Sequence, residues 1–181
     1  MKKLVLPLLL ALSLLLGGCG KQNAARYESF AGELRERSDL ELTAELRAEY
    51  DDRSMSFTLR YTDEPDGGCC VEVLEPEIIR GVKARLSAEG ASLGFESVSV
   101  DTGDDGGTGL SPMGALPLLV RALRCAPLDS AWTEEGRLAV RLIPEDGIEL
   151  CVLFDDALKP DYAEIAHEGN TVLFLDITEF S

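Results

Sequence analysis

The side chains best suited to chemistry in this sequence are carboxylates and thiols, and few of them have the spacing of a catalytic site. The only histidine, His167, follows an alternating apolar segment, where an exposed histidine at a strand end is far commoner than a catalytic base. Residues 109–113 differ from a Gly-x-Ser-x-Gly nucleophile elbow at the last position, and their serine and proline are typical of a helix start. Among 33 acidic residues, carboxylate pairs are expected by chance. The sequence therefore predicts that the protein is not an enzyme.

One acidic segment, residues 101–106, has the aspartate and glycine content of a calcium-binding loop. The pattern fails at Gly103, which occupies a ligand position, and at Pro112, which replaces the bidentate glutamate. A zinc site is also disfavoured, because the sequence has no Cys-x-x-Cys pair and a single histidine. We interpret the segment as a flexible acidic loop, and we expect neither a metal nor a cofactor.

The sequence has four cysteines beyond Cys19. Cys69 and Cys70 are adjacent, so their side chains point to opposite faces of a strand, and at most one can reach an interior partner. The available partners are Cys125 and Cys151, which both lie in apolar segments. Two interpretations remain open: one disulfide, which an exported domain permits, or unpaired thiols with Cys125 and Cys151 buried as small hydrophobic residues.

The N-terminal residues have the pattern of a secretory signal. Two lysines precede an apolar segment, residues 4–16, which is shorter than the roughly 18 residues of a membrane-spanning helix. From the last residue of this segment, Leu16, the sequence reads Leu-Gly-Gly-Cys, which resembles the lipobox of bacterial lipoprotein signal peptides. The resemblance implies that residues 1–18 are a signal peptide that is removed, and that the Cys19 sulfur carries diacylglycerol with palmitate-like chains. Residues 19–24 would then be the lipidated N-terminus and a short tether, which places the protein at the extracytoplasmic face of the cell membrane.

The acidic composition restricts the partners that the protein can have. The sequence contains 33 acidic and 17 basic residues and has a formal net charge of −16 at pH 7. Such a surface cannot neutralise phosphates, which excludes nucleic acid and disfavours flat binding to anionic lipid. The charge fits a solubilising coat, and it could also attract a basic partner. The length that remains after the signal fits a single domain, which we place at residues 25–181.

The sequence of the first part of this domain predicts an amphipathic helix followed by a β-hairpin. Residues 22–37 repeat apolar side chains at helical spacing, and these are Tyr27, Phe30, Ala31 and Leu34. Residues 41–50 alternate apolar and polar side chains without exception, and residues 55–61 do the same after a polar turn. Two long adjacent strands should therefore pair.

The rest of the chain predicts further strands around one apolar helix. Strands are expected at residues 69–74, 82–86, 93–100, 137–143, 148–155, 162–167 and 171–177. The alternation slips at Ser97, which suggests a β-bulge. Residues 112–125 predict a helix that is apolar on nearly all sides and kinked by Pro117. The expected fold class is α+β: a curved antiparallel incomplete β-barrel of about nine strands that covers a central apolar helix, with a leading amphipathic helix.

Two further segments carry a resemblance to a known family. They are residues 74–82, Leu-Glu-Pro-Glu-Ile-Ile-Arg-Gly-Val, and residues 110–117, Leu-Ser-Pro-Met-Gly-Ala-Leu-Pro. Together with the lipobox, the leading helix and the paired strands, they resemble LolA-like lipoproteins of monoderm bacteria over nearly the whole mature chain. The resemblance implies an incomplete barrel, lidded by helices, that holds acyl chains in a concave apolar cavity. The covalent anchor departs from the soluble carrier of this fold, and the carrier's ligand-gating arginine cannot be placed on any residue here.

The resemblance predicts a non-enzymatic binding lipoprotein whose cavity, between the sheet and the central helix, accepts an acyl chain or another apolar ligand. The candidate lining residues are Tyr50, Phe57, Leu59, Tyr61, Phe95, Leu116 and Leu119. The other interpretation of these seven side chains is that they fill an ordinary core. An alternative function is that of an accessory lipoprotein that binds another envelope protein such as a cell-wall hydrolase, because a clostridial spore-germination lipoprotein of this group acts by binding a cell-wall amidase.

Overall fold

The computed structural model of the chain describes residues 18–50, 53–96, 98–103 and 110–181. Most of the predicted signal peptide, residues 1–17, and part of the acidic loop lie outside the described residues. The helical elements are α1 (Gly18–Glu36), a 3₁₀ turn (Glu77–Ile79) and α2 (Pro112–Cys125). The strands are β1 (Glu41–Tyr50), β2 (Arg53–Asp63), β3 (Cys69–Glu75), β4 (Lys83–Ser87), β5 (Gly90–Phe95), β6 (Val98–Gly103), β7 (Leu128–Glu134), β8 (Arg137–Glu145), β9 (Ile148–Phe154), β10 (Pro160–His167) and β11 (Asn170–Phe180).

All eleven described strands form one antiparallel sheet in the order β6-β5-β4-β3-β2-β1-β11-β10-β9-β8-β7. Strand β1 pairs with both β2 and β11, so it joins the two halves of the sheet. Every other neighbouring pair is consecutive in sequence, as short connections require. The sheet does not close on itself, and β6 and β7 are its two edges. An open antiparallel sheet combined with helices agrees with the predicted α+β class and with an incomplete barrel.

The predicted number of strands, about nine, is too low. Residues 93–100, predicted as one strand with a bulge at Ser97, belong to β5 and β6, and Glu96 in the turn has a φ of 51°. Phe95 lies directly opposite Val98, so the inward-facing positions change from odd numbers in β5 to even numbers in β6. Ser97 itself, where the bulge is predicted, lies outside the described residues. The second missed strand is β7, which has mixed polar and apolar side chains on both faces and so lacks a clear alternation.

The hydrophobic core lies between the two helices and one face of the sheet, which we call the inner face. On β1 this face consists of Leu42, Ala44, Leu46 and Ala48, all buried. Helix α2 is buried around most of its circumference, as predicted for a central apolar helix. Its buried residues are Gly114, Ala115, Leu116, Leu118, Leu119, Val120, Ala122 and Leu123.

Helix α2 starts where the sequence predicts. Ser111 is the N-cap, and its Oγ accepts a hydrogen bond from the Gly114 N–H at 3.1 Å. Pro112 occupies the first helical position, where its missing N–H removes no intrahelical hydrogen bond. Pro117 lies inside the helix. The cap at Ser111 therefore fixes where α2 begins.

Helix α1 extends further toward the N-terminus than predicted. It begins at Gly18, so residues 19–24, predicted as a short tether, are helical. Asn23 is already packed on the sheet, because its Nδ2 donates a hydrogen bond to Thr133 Oγ1 at 3.0 Å. In this segment only Gly20 strongly disfavours a helix, which explains why the helix continues. The distance in sequence between Cys19 and the folded body is therefore only a few residues.

The four cysteines of the domain, Cys69, Cys70, Cys125 and Cys151, are unpaired thiols in the structure. Of the two interpretations left open by the sequence, the structure thus has the free thiols. Cys69 is buried, whereas Cys125 is exposed at the C-terminal end of α2, so its predicted burial is wrong. Cys151 is partly exposed, because it lies on the outer face of β9.

Candidate functional site on the inner face

Beyond the helices, the inner face of the sheet continues as an uncovered apolar surface. Ala84 on β4 lies opposite Leu93 on β5, Leu93 lies opposite Val100 on β6, and Phe95 lies opposite Val98. Residues directly opposite each other project to the same face of an antiparallel pair. Leu93, Phe95, Val98 and Val100 expose 43, 46, 66 and 59 % of their surface. We call these four side chains the open apolar face.

The position of the helices explains why this surface is open. Helix α1 packs mainly on β7, and α2 packs mainly on β2, β3 and β8. Strands β5 and β6 extend past both helices at one edge of the sheet. Contiguous exposed apolar side chains on a soluble surface are typical of a binding site.

A groove with a volume of about 330 Å³ lies between the ends of β2 to β4 and helix α2. Its walls include the side chains of Cys69 and Leu86 from the sheet and of Leu118, Arg121 and Arg124 from α2. Strand β4 pairs with β5, so the groove wall formed by Leu86 adjoins the hairpin that carries the open apolar face. An apolar ligand on that face could therefore extend toward the groove.

One ion pair at the base of this groove fixes α2 on the sheet. Arg124 Nη2 lies 2.6 Å and its Nη1 3.1 Å from the two carboxylate oxygens of Asp63. The Tyr61 hydroxyl and the Leu40 N–H also donate to the same carboxylate, at 2.7 and 3.0 Å. Burial acts to raise the pKa of Asp63, but the hydrogen bonds from Arg124, Tyr61 and Leu40 outweigh it and hold the pKa below its usual range.

Arg124 also connects the two helices to each other. Its guanidinium donates to the carbonyl oxygens of Leu34 and Arg37, at the C-terminal end of α1, at 3.3 and 3.1 Å. In return, Arg35 Nε donates to the carbonyl oxygen of Arg124 at 2.9 Å. Each helix thus supplies a donor to carbonyl groups at the C-terminal end of the other helix. Asp63, Arg124 and the two helix ends therefore form one rigid junction.

Three of the predicted lining residues, Leu59, Leu116 and Leu119, expose 0 % of their surface. A side chain beside a space that admits a water molecule would have accessible surface, so these three pack in a filled core in this conformation. Tyr61 is buried as well, and it lines the groove.

The remaining three predicted residues lie nearer the surface. Tyr50 is partly exposed, and its hydroxyl donates to the carbonyl oxygen of Leu110 just before α2. Phe57 packs at the margin of the core, and Phe95 belongs to the open apolar face. The structure therefore brings Phe95 together with residues that were not predicted, namely Leu93, Val98 and Val100. The alternation of apolar residues within β5 and within β6 indicates this shared face, but the turn between the two strands interrupts the alternation.

Other features of the described residues bear on chemistry and location. His167 is exposed at the end of β10. Within the described residues, no group of three or more histidine, cysteine, aspartate or glutamate side chains is arranged to bind a metal ion. Within the same residues, no helix combines the length and apolar character needed to cross a bilayer.

Comparison with known proteins gives structural matches alone, since neither a family model nor a curated protein matches the sequence. An uncharacterised conserved protein from Thermus thermophilus has 13 % sequence identity and a TM-score of 0.50, with 87 % of this chain and 86 % of that chain covered. At this identity the likeness is one of fold.

Members of the LolA superfamily are among the solved structures that resemble this chain in fold. One from Nitrosomonas europaea has 11 % identity and a TM-score of 0.49, covering 87 % of this chain and 92 % of that chain. A chain in the structure of the CwlD amidase from Clostridioides difficile in complex with the GerS lipoprotein has 14 % identity and a TM-score of 0.44. That match covers 87 % of this chain and 94 % of that chain. Both matches are likenesses of fold at low sequence identity.

Proposed function

We propose that this protein is a lipid-anchored, extracytoplasmic binding lipoprotein that holds an apolar ligand, such as an acyl chain, on the open apolar face of its sheet. The signal peptide would be cleaved before Cys19, and the diacylglyceryl group on Cys19 would keep the domain at the membrane where it acts. The protein would bind its ligand without chemical change.

The open apolar face is the observation that carries this proposal. Covering an aliphatic or aromatic side chain contributes about 1.5–3 kcal/mol, so four such side chains at one edge favour a ligand that removes them from water. Leu93, Phe95, Val98 and Val100 carry no polar group, so the hydrophobic effect alone would select the ligand here. The groove beside Leu86 has the volume of a small ligand pocket and could receive one end of a chain.

Native mass spectrometry of the protein purified from membranes in detergent tests the proposal. We expect a non-covalent lipid on the wild type, in addition to the covalent anchor. Replacing Val98 and Val100 by aspartate together should remove that lipid, because two carboxylates on the open apolar face oppose burial by an alkyl chain. The control is Ser99→Asp, since Ser99 lies between the two valines and faces the other side of the strand. An empty wild type, or equal loss in the control, would contradict the proposal.

A second candidate function is docking of another envelope protein, such as a cell-wall hydrolase, at the same edge. Strand β6 is the edge of the described sheet, and edge strands can accept a further strand from a partner. A photo-crosslinking residue at position 98 separates the two functions in cells. Adducts of lipid mass support the proposed function, whereas an adduct with one defined protein supports the second.

A further inference from the structure

The outer face of the sheet carries an apolar and aromatic strip where a solvated face usually carries polar side chains. Trp132 on β7 lies opposite Ala139 on β8, which lies opposite Leu153 on β9, and Leu153 lies opposite Tyr162 on β10. We call these four residues the outer strip. Four neighbouring strands place its two ends about 14 Å apart.

The side chains of the outer strip are only partly covered. Trp132, Leu153 and Tyr162 are each partly exposed, whereas Ala139 between them is buried at 3 %. Helices α1 and α2 pack on the inner face, so they do not reach this surface. Tryptophan and tyrosine, the residue types of Trp132 and Tyr162, are among those enriched at the hot spots of protein interfaces.

Carboxylates lie at both aromatic ends of the strip, alongside Arg137, which is opposite Glu134 and pairs with Asp161. Glu134 Oε2 accepts a hydrogen bond from Trp132 Nε1 at 3.1 Å, and Glu164 Oε1 accepts one from the Tyr162 hydroxyl at 2.9 Å. Asp176 on β11 lies directly opposite Tyr162. Aromatic rings beside carboxylates attract cations in two ways. The face of the ring makes a cation–π interaction, and the carboxylates attract the positive charge.

The same surface contains an example of this recognition within the chain. On the neighbouring strands, the guanidinium carbon of Arg47 lies 4.1 Å from the centre of the Phe174 ring. Arg47 and Phe174 are directly opposite each other in the β1–β11 pair. The outer face therefore already stacks an arginine on an aromatic ring beside an acidic residue, Glu49.

We propose that the outer strip, with Glu134, Glu164 and Asp176, is a docking surface for a basic, extended segment of another envelope protein. Arginine or lysine side chains of that segment would stack on Trp132 and Tyr162 and pair with the surrounding carboxylates. The net charge of −16 favours a cationic partner over a polyanion and speeds its approach. This surface is on the opposite side of the sheet from the open apolar face, so a lipid and a protein could be bound together.

Intrinsic fluorescence tests this proposal directly, because Trp132 is the only tryptophan in the chain. The full chain in non-ionic detergent is titrated with an oligoarginine peptide at low salt, and an oligoglutamate peptide serves as the negative control. The emission of Trp132 should change and saturate with oligoarginine alone. Isothermal titration calorimetry on the same samples gives the dissociation constant without relying on tryptophan.

Two double variants with equal loss of charge distinguish a built surface from general attraction. Replacing Glu164 by Gln and Asp176 by Asn should weaken binding about five-fold, because both carboxylates would contact the peptide. Replacing Glu33 and Glu36 by Gln on the exposed side of α1 should weaken it less than about two-fold, since only long-range attraction is lost. Tyr162→Leu should weaken binding about three-fold, because a stacking ring is lost while an apolar side chain is kept.

Several results would overturn the proposal. Peptide binding that calorimetry detects while the emission of Trp132 stays constant places the peptide elsewhere. Equal weakening in the two double variants reduces the interaction to the overall charge of the protein. An unchanged affinity in Tyr162→Leu would show that the Tyr162 ring does not contribute to peptide binding.

Discussion

Asp63 shows how one carboxylate can determine the acid sensitivity of a whole junction. Its side chain is 7 % exposed and accepts four hydrogen bonds, two of them from Arg124. We expect Asp63→Asn to lower the free energy of unfolding by about 1.5–3 kcal/mol at pH 7, because the hydrogen bonds to the charged group are weakened. Chemical denaturation followed by circular dichroism measures this change.

The pH dependence of this contribution has a defined sign. The pKa of Asp63 is lower in the folded protein than in the unfolded chain, where it is about 4. The stabilisation is therefore complete above about pH 4 and is lost as the pH falls through the lower folded value. The difference in unfolding free energy between wild type and Asp63→Asn should shrink between pH 6 and pH 3. A constant difference over that range would show that the carboxylate charge is not responsible.

The thiols of Cys69 and Cys125 should differ greatly in reactivity although both line the groove. Burial raises the pKa of Cys69 to about 11, so only about 0.1 % is thiolate at pH 8. Cys125 is exposed. In protein purified without reductant, iodoacetamide should label Cys125 about two orders of magnitude faster than Cys69, as measured by peptide mass mapping.

The control for this experiment is labelling in denaturant, where both thiols are exposed and their rates should become similar. If neither Cys69 nor Cys125 is labelled in the native protein, but both become reactive only after reduction, each of them is held in a disulfide. That result would contradict the free thiols of the structure.

At the level of elements, the sequence predicts the strands and helices that have a clear apolar periodicity or a clear start signal. The β1–β2 hairpin and the start of α2 at Ser111 are predicted correctly, because strict alternation and an N-cap followed by proline are local signals. Strand β7 is missed, because its contacts with α1 and β8, and not its own pattern, make it a strand. Tertiary contacts can override a weak local pattern.

The open apolar face was predicted only through Phe95. Whether Leu59 and Leu116 line a cavity or fill a core depends on where α2 lies, and the sequence of each element does not encode that distance. The Asp63–Arg124 pair joins residues 61 positions apart, so no local spacing indicates it. The outer strip likewise becomes visible only when β7 to β10 are in register.

For the whole molecule, the two faces of one sheet imply a division of roles. The inner face is apolar and open at the edge formed by β5 and β6, whereas the outer face combines aromatic side chains with carboxylates. Asn23 is the fourth residue after Cys19 and already contacts β7, so the helix places Cys19 only about 6 Å along its axis from a residue that touches the sheet. If Cys19 carries the proposed lipid, a domain held so closely cannot carry a ligand far from the membrane.

Attachment through Cys19 is the prediction on which that geometry depends. In cells grown with a labelled fatty acid, the wild-type protein should incorporate label and show the mass of a chain that begins at a diacylated Cys19. Cys19→Ala should lose both the label and the added mass, because no other residue of the Leu-Gly-Gly-Cys motif offers a thiol. Cys125→Ala is the matched control, since it removes an exposed thiol of the domain and should keep full labelling. Retention of label in Cys19→Ala would place the lipid on another residue, and the domain would then not be held at the N-terminus of α1.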